Sequence, residues 1–279
     1  DAFCGLQYTG APGARGNQRL VIGPWIHGGI SELRQGDLLF PPNSKYDFEG
    51  GGDTRVGNWL YGEGTRPKGP VVRYYTMGDM EDEESRSNIW RASDVWPIPS
   101  SPFRFYLHPG GSLGMHMPTC IKSSETYLYD PNDPVPTMGG ATLARLGAGP
   151  LDQRKVESRD DVIVYDSQVL DEGLEVTGRV WVDLYISSSV STTDFTAKLT
   201  DVYPDGRAIL LLDGIVRLSE IGGKPRQARI DLGSISILFG KGHRIRLAPA
   251  RRSLMPGAVN PNTDEILMEQ GEGVIARNM

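Results

Sequence analysis

No apolar run in the 279-residue sequence approaches the roughly 20 residues that a helix needs to cross a bilayer, and no signal peptide is visible. A membrane-spanning helix is therefore not expected, and the compartment stays open. Cysteine is scarce: Cys4 and Cys120 are the only two, too few for a disulfide framework, and two free thiols are expected. A strong charge of either sign is missing as well. The net charge of −6 is mild and mixed, so neither nucleic acid nor an anionic membrane is an expected partner. Long stretches of helical period are also hard to find. In their place stand 35 glycines and 20 prolines, about a fifth of the chain, which leans towards β structure with many turns. The length suffices for one large or two ordinary domains.

The informative stretch runs Gln18-Arg19-Leu20-Val21-Ile22-Gly23-Pro24-Trp25-Ile26-His27-Gly28-Gly29. A short apolar run, Leu20 to Ile22, stops at Gly-Pro and is followed by a Trp, a His and two glycines. This reads as a buried strand opening into a loop that holds the imidazole just past the strand's end. Catalytic groups of α/β folds sit at that edge. The plainer alternative for an isolated histidine is a strand cap or a packed core residue.

Before this stretch come a short Leu6/Tyr8 segment and a Gly/Pro loop; after it, from Ile30 to Gly69, periodicity is poor and loops are expected. The run Gly50-Gly51-Gly52 is no phosphate cradle, because no strand precedes it and no Lys-Ser/Thr follows. Val71 to Gly78 reads as a second buried strand. The acidic run from Asp79 to Glu84 reads as a solvated loop, without the alternate spacing and turn glycine of a hard-cation site. A Pro/Ser cluster at Pro99 to Pro102 marks a domain boundary. Beyond Phe103 the pattern changes to short strands with frequent turn signals. Val180, Val182, Leu184 and Ile186 alternate with polar or amphipathic residues, giving one apolar face, and Phe195 to Tyr203 continues the alternation through Pro204-Asp205-Gly206-Arg207 into Ala208 to Asp213, a hairpin. Antiparallel strands without intervening helices argue for a two-sheet sandwich of jelly-roll type.

Several of these segments carry a resemblance. They are Gly23-Pro24-Trp25-Ile26-His27, Asp1-Ala2-Phe3 lying 26 positions before that histidine, Asn58 to Gly64, Trp96-Pro97-Ile98-Pro99, and Tyr129-Asp130-Pro131-Asn132-Asp133-Pro134-Val135-Pro136-Thr137-Met138-Gly139-Gly140. Asp152-Gln153-Arg154, Thr193 to Leu199, Asp205 to Ala208 and Gly242 to Leu247 belong with them. Together they resemble the CocE/NonD serine hydrolases, which take in cocaine esterase and the α-amino-acid ester hydrolases and are related to the X-Pro dipeptidyl-peptidases. The His motif is present in full; of the family's Gly-Trp-Tyr-Asp motif only the Asp stands here.

The resemblance implies a mixed fold. Residues 1–100 are the C-terminal remainder of an α/β-hydrolase domain, and residues 101–279 an all-β jelly-roll sandwich of galactose-binding-like type. It implies that Asp1 and His27 are the acid and base of a Ser-His-Asp triad, acting on a small-molecule acyl ester or amide without metal or organic cofactor. Phe3 and Trp25, which flank them, are expected to form an apolar wall for the substrate, although core packing explains them equally well. The chain begins at Asp1 with no Met and reads as a processed product or fragment, with the nucleophile expected upstream. The stretch Arg251 to Pro256 departs from the family pattern, and so does the close at Arg277-Asn278-Met279. Homo-oligomerisation is left open.

Other constellations carry less. Gly110-Gly111-Ser112-Leu113-Gly114 has the letters of a nucleophile elbow, but Met115-His116-Met117-Pro118 after it is no helix start, and a Gly-rich turn is expected. His108, His116 and Cys120 lack the paired close spacing of a structural zinc site. His243 is expected to anchor backbone groups. The competing functional readings are a jelly-roll module that binds carbohydrate or another ligand, and an inactive fragment.

Overall fold

The computed structural model describes residues 2–46, 69–82, 85–119, 124–143, 147–221, 225–251 and 264–277. Asp1, the 50–52 glycine run, the 58–64 segment, Cys120, residues 252–256 and residues 278–279 lie outside them.

The described chain is mostly β-sheet. It opens with a helical turn, Ala2–Cys4, and a wider turn, Gly5–Thr9, followed by β1 (Leu20–Ile22). A two-stranded hairpin, β2 (Arg34–Gln35) with β3 (Leu38–Leu39), stands apart from the main sheet. The main sheet takes in β4 (Val72–Gly78), β5 (Ile89–Ser93), β6 (Ser101–His108), β7 (Ser112–Gly114), β8 (Ser124–Tyr129) and β9 (Tyr165–Ser167). It continues through β10 (Leu174–Ser188), β11 (Thr192–Val202), β12 (Ala208–Ser219), β13 (Arg226–Phe239), β14 (Arg244–Arg251) and β15 (Asp264–Arg277). Its strands follow the order β1-β4-β13-β10-β15-β6-β7-β9-β14-β11-β12, with β5 beside β4 and β8 beside β15. Among the described residues no helix is long and apolar enough to cross a membrane.

Beyond residue 100 nearly every strand pairing is antiparallel, and the sheet path doubles back over one core. Val180, Val182, Leu184 and Ile186 of β10 are buried there with Ile230 and Phe239 of β13, and so are Phe195 and Leu199 of β11 with Leu247 of β14. Strands far apart along the path thus share one apolar interior, which makes a sandwich of the sheet. In β13 one extra residue is accommodated where Val180 pairs with Gly233 and Trp181 with Asp231, and Gly233 takes φ 97° there. The β11–β12 hairpin closes as the sequence indicates, with Tyr203 N–H donating to Arg207 O at 2.8 Å.

Two expectations need correction. Alternation along β11 suggests one buried face, yet Thr196, Lys198 and Thr200 on the other face are buried as well as Phe195 and Leu199. The reason is a long connection laid over that second face. Its residue Gln153 accepts from Lys198 Nζ at 2.8 Å, and Arg246 bridges Glu157 at 2.7 Å and Asp166 at 2.5 Å. Conversely, β1 is only half-buried, with Ile22 exposed. Among the described residues it pairs on one side alone, in parallel with β4 (Leu20 opposite Val72). At its other end β4 continues in parallel onto β13, Met77 opposite Ile237. One strand thereby ties the first part of the chain to the sandwich.

Candidate functional site

The backbone after β1 is shaped by small residues at defined places. A Cβ on Gly23 would fall 2.4 Å from the Trp25 ring, so glycine there lets the indole fold back over the strand's end. Trp25 Nε1–H donates to Ser44 O at 2.8 Å. Its ring lies 5.7 Å from Trp90 and 5.9 Å from Tyr46, and Trp90 lies 5.4 Å from Tyr75 in edge-to-face contact. Tyr75 donates its hydroxyl to Asn43 Oδ1 at 3.0 Å, and burial raises its pKa, so it stays a neutral donor.

His27 follows in a tight turn in which Gly29 N–H donates to Ile26 O at 3.0 Å and Gly28 takes φ 77°. The turn presents the imidazole to solvent at the rim of a cavity of about 490 Å³. One wall is the 22–27 loop, another is Phe40 with Tyr75 and Met77, and the sandwich supplies Tyr203, Ile209 and Leu211. The walls are mainly apolar with a few convergent polar groups, the usual make-up of a small-molecule site.

Under the floor of this cavity lies a buried ionisable cluster. The His243 ring, 1% exposed, has Nδ1 2.8 Å from Asp201 Oδ1 and Nε2 3.3 Å from Asp79 Oδ2, while Tyr203 packs against its face at 4.4 Å. Burial alone would depress the imidazole, but the hydrogen bond and charge of Asp201, reinforced by Asp79, raise it above 6.5. Burial pushes the Asp201 carboxyl up, partly offset by His243. The ring thus anchors carboxylates rather than backbone groups, and Asp79 is docked rather than solvated. The cluster joins the end of β4 to β11 and the turn before β14. Two carboxylates on opposite ring nitrogens do not form a chelate, and among the described residues no group of three His, Cys, Asp or Glu is arranged to hold a metal ion.

The residues singled out from sequence are placed as follows. His27 and Trp25 line the cavity together. Phe3 is half-buried and packs on Val72, Tyr74 and Ile98, with Tyr8 edge-on at 6.3 Å. Asp1 is outside the described residues. Ser112 sits in the β6–β7 hairpin opposite His108, with Gly110 and Gly111 at φ 77° and 75°, so this serine occupies a strand after a glycine turn and not an elbow before a helix. Cys4 is a free thiol. Sequence reasoning missed Gln35, Asn43 and the Asp79–His243–Asp201 cluster. For the cluster the signal was weak, since β11 buries Asp194 and Lys198 as well as Asp201.

Comparison with known proteins gives three kinds of likeness. Residues 67–272 match the family model described as the X-Pro dipeptidyl-peptidase C-terminal non-catalytic domain. The chain is 38% identical to the cocaine esterase of Rhodococcus sp. (strain MB1 Bresler), over 93% of this chain and 46% of that protein. It also superposes on the aminopeptidase of a marine sediment Thaumarchaeota archaeon with a TM-score of 0.75 at 24% identity, covering 93% of this chain and 49% of that one. An α-amino acid ester hydrolase gives 0.69 at 22%, covering 93% and 50%. The chain spans about half the length of each of these relatives.

Proposed function

Because the chain belongs to the CocE/NonD hydrolases, through the X-Pro dipeptidyl-peptidase C-terminal domain that its residues match, we propose that it works in the hydrolysis of small acyl esters or amides. His27 is the general base and Asp1 the residue that orients it. The observation that carries the reading is the exposed imidazole of His27, held just beyond a strand's end on the rim of a mainly apolar cavity of about 490 Å³. Residues 1–100 are then the remainder of an α/β-hydrolase domain and residues 101–279 a jelly-roll of galactose-binding-like type. The parallel pairing of β1 with β4 supports the first assignment, and the antiparallel sandwich supports the second.

In this mechanism a serine from a part of the parent protein that this sequence does not contain attacks the substrate carbonyl. His27 takes the serine proton and returns it to the leaving alcohol or amine, which leaves an acyl-serine. It then takes a proton from the water that attacks this ester and returns it to the serine oxygen as the acid departs. Asp1 holds the imidazole tautomer and stabilises the cation formed in between. The sandwich wall, with Tyr203, Ile209 and Leu211, closes the side of the pocket away from the 22–27 loop. No step calls for a metal or an organic cofactor.

The test is His27→Ala in the full-length gene product, assayed with p-nitrophenyl acyl esters and matching anilides. We expect hydrolysis to fall by about 10⁴-fold or more, as removal of a triad histidine does. A loss smaller than tenfold would remove His27 from the mechanism. A second reading draws on the family description of residues 67–272 as non-catalytic: the sandwich is a ligand-binding module, and its affinity for a soluble saccharide panel would then survive His27→Ala.

A further inference from the structure

We infer that Gln35 is a positioning residue for His27, a role that rests on the reading of His27 as the base. Gln35 sits on β2 and is 0% exposed. Its carboxamide makes three hydrogen bonds, two to the turn that carries the histidine and one to the turn that follows it. Oε1 accepts from Ile26 N–H at 2.9 Å, and Nε2 donates to Gly29 O and to Glu32 O, each at 2.8 Å. The orientation is unambiguous, because a flipped amide would set its NH₂ against an N–H and its oxygen against two carbonyls. The contact is also tight: a Cβ on Gly29 would lie 2.5 Å from Gln35 Oε1.

One side chain therefore grips the backbone immediately before His27 and again two residues after it, where a tight turn alone would leave the loop free to rock. The side chain of His27 is exposed, so few packing contacts restrain it, and its direction is set by its backbone. The grip is itself mounted on the sandwich connection. Asp37 N–H, in the β2–β3 turn, donates to Pro150 O at 2.9 Å, and Asp37 Oδ2 accepts from Asp152 N–H at 2.8 Å. Gly149 completes the approach, since a Cβ there would fall 2.5 Å from the Ile26 side chain. Through Gln35 the second half of the chain thus holds the base of the first half in place.

Side chains of similar size do not meet these three partners. Glutamate would turn a carboxylate oxygen towards two carbonyl oxygens, and leucine would leave the Ile26 N–H and the Gly29 carbonyl without a partner. The experiment compares Gln35→Glu, Gln35→Leu, Gly29→Ala and His27→Ala in the full-length gene product, with a p-nitrophenyl acyl ester as the probe. It reads kcat and KM separately, together with hydrogen exchange of the Ile26 amide. We expect the Gln35 variants to lower kcat by about 10- to 100-fold, the scale of an ångström-sized misplacement of a catalytic group. KM should change by less than about threefold and Ile26 exchange should quicken, a combination that a general loss of stability does not produce. If a Gln35 variant fails to fold, Gly29→Ala perturbs the same contact from the opposite side. Faster Ile26 exchange with kcat within twofold of the starting protein would overturn the role of Gln35 alone. Retention of activity in His27→Ala would overturn the catalytic reading, and the positioning role with it.

Discussion

At the scale of single residues, the site is governed by what surrounds each polar group. His243 is the clearest case, because both of its ring nitrogens face carboxylates inside the protein. Asp79 and Asp201 flank it, the Tyr203 ring packs on it, and Arg207 lies over the Tyr203 ring while pairing with Glu81 at 2.6 Å. Its imidazole binds a proton more tightly folded than unfolded, so its contribution is fully present below the ordinary value of 6.5 and fades as pH climbs through the raised one. Asp201, also raised by burial, acts in the same direction. The urea midpoint of the wild-type chain should accordingly decline as pH rises from 6.5. In His243→Gln that part of the decline should be missing, and an unchanged profile would show that the ring does not titrate in that window. Such a cluster is hard to find in a sequence. Asp79, Asp201 and His243 stand far apart along the chain and meet only because β4, β11 and the turn before β14 converge.

At the scale of elements, the smallest hairpin has the largest consequence for the site. The β2–β3 turn places Gly36 at φ 59°, with a virtual Cβ 2.6 Å from Pro150 O. Gly36→Ala brings both left-handed strain and a backbone clash, and we expect it to destabilise by about 1 kcal/mol or more, measured by urea titration. If the hairpin positions His27, the same substitution also quickens Ile26 amide exchange. A silent Gly36→Ala would mean that the hairpin yields easily and holds nothing. This hairpin falls within the Ile30 to Gly69 region where loops are expected. Each of its strands is only two residues long, too short for any period to show. The longer strands are different. Val180 to Ile186 and the Pro204 to Arg207 turn were legible because alternation and turn chemistry are local properties.

At the scale of the whole molecule, the sandwich carries two kinds of interior. One is apolar, centred on β10, β11 and β13, and the other is the polar layer under the connection that covers β11. The second depends on completed pairings. Arg246, with Glu157 at 2.7 Å and Asp166 at 2.5 Å, neutralises a glutamate whose side chain is 3% exposed. Burial raises the pKa of Glu157, only partly countered by Arg246. Arg246→Ala should cost about 3 kcal/mol, because it leaves a buried carboxylate without its cation. The double variant Arg246→Met with Glu157→Leu should recover most of that loss. Equal losses in both would show that side-chain packing, and not charge, makes the contribution. Chemical denaturation followed by circular dichroism distinguishes the two outcomes.

The sequence by itself determined the β-rich sandwich, the β11–β12 hairpin turn, the strand ending at Gly23-Pro24 and the membership of the chain in its family. All of these rest on patterns a few residues long, where periodicity, Gly and Pro act on the nearby backbone. Only the tertiary structure decided that β4 serves both halves, that β11 is buried on its polar face, and that His243 lies between two aspartates. It alone brought Gln35 against the backbone on either side of His27. Those facts depend on which distant segments meet, and a hydrogen bond from a buried carboxamide to a remote turn leaves no period in the chain.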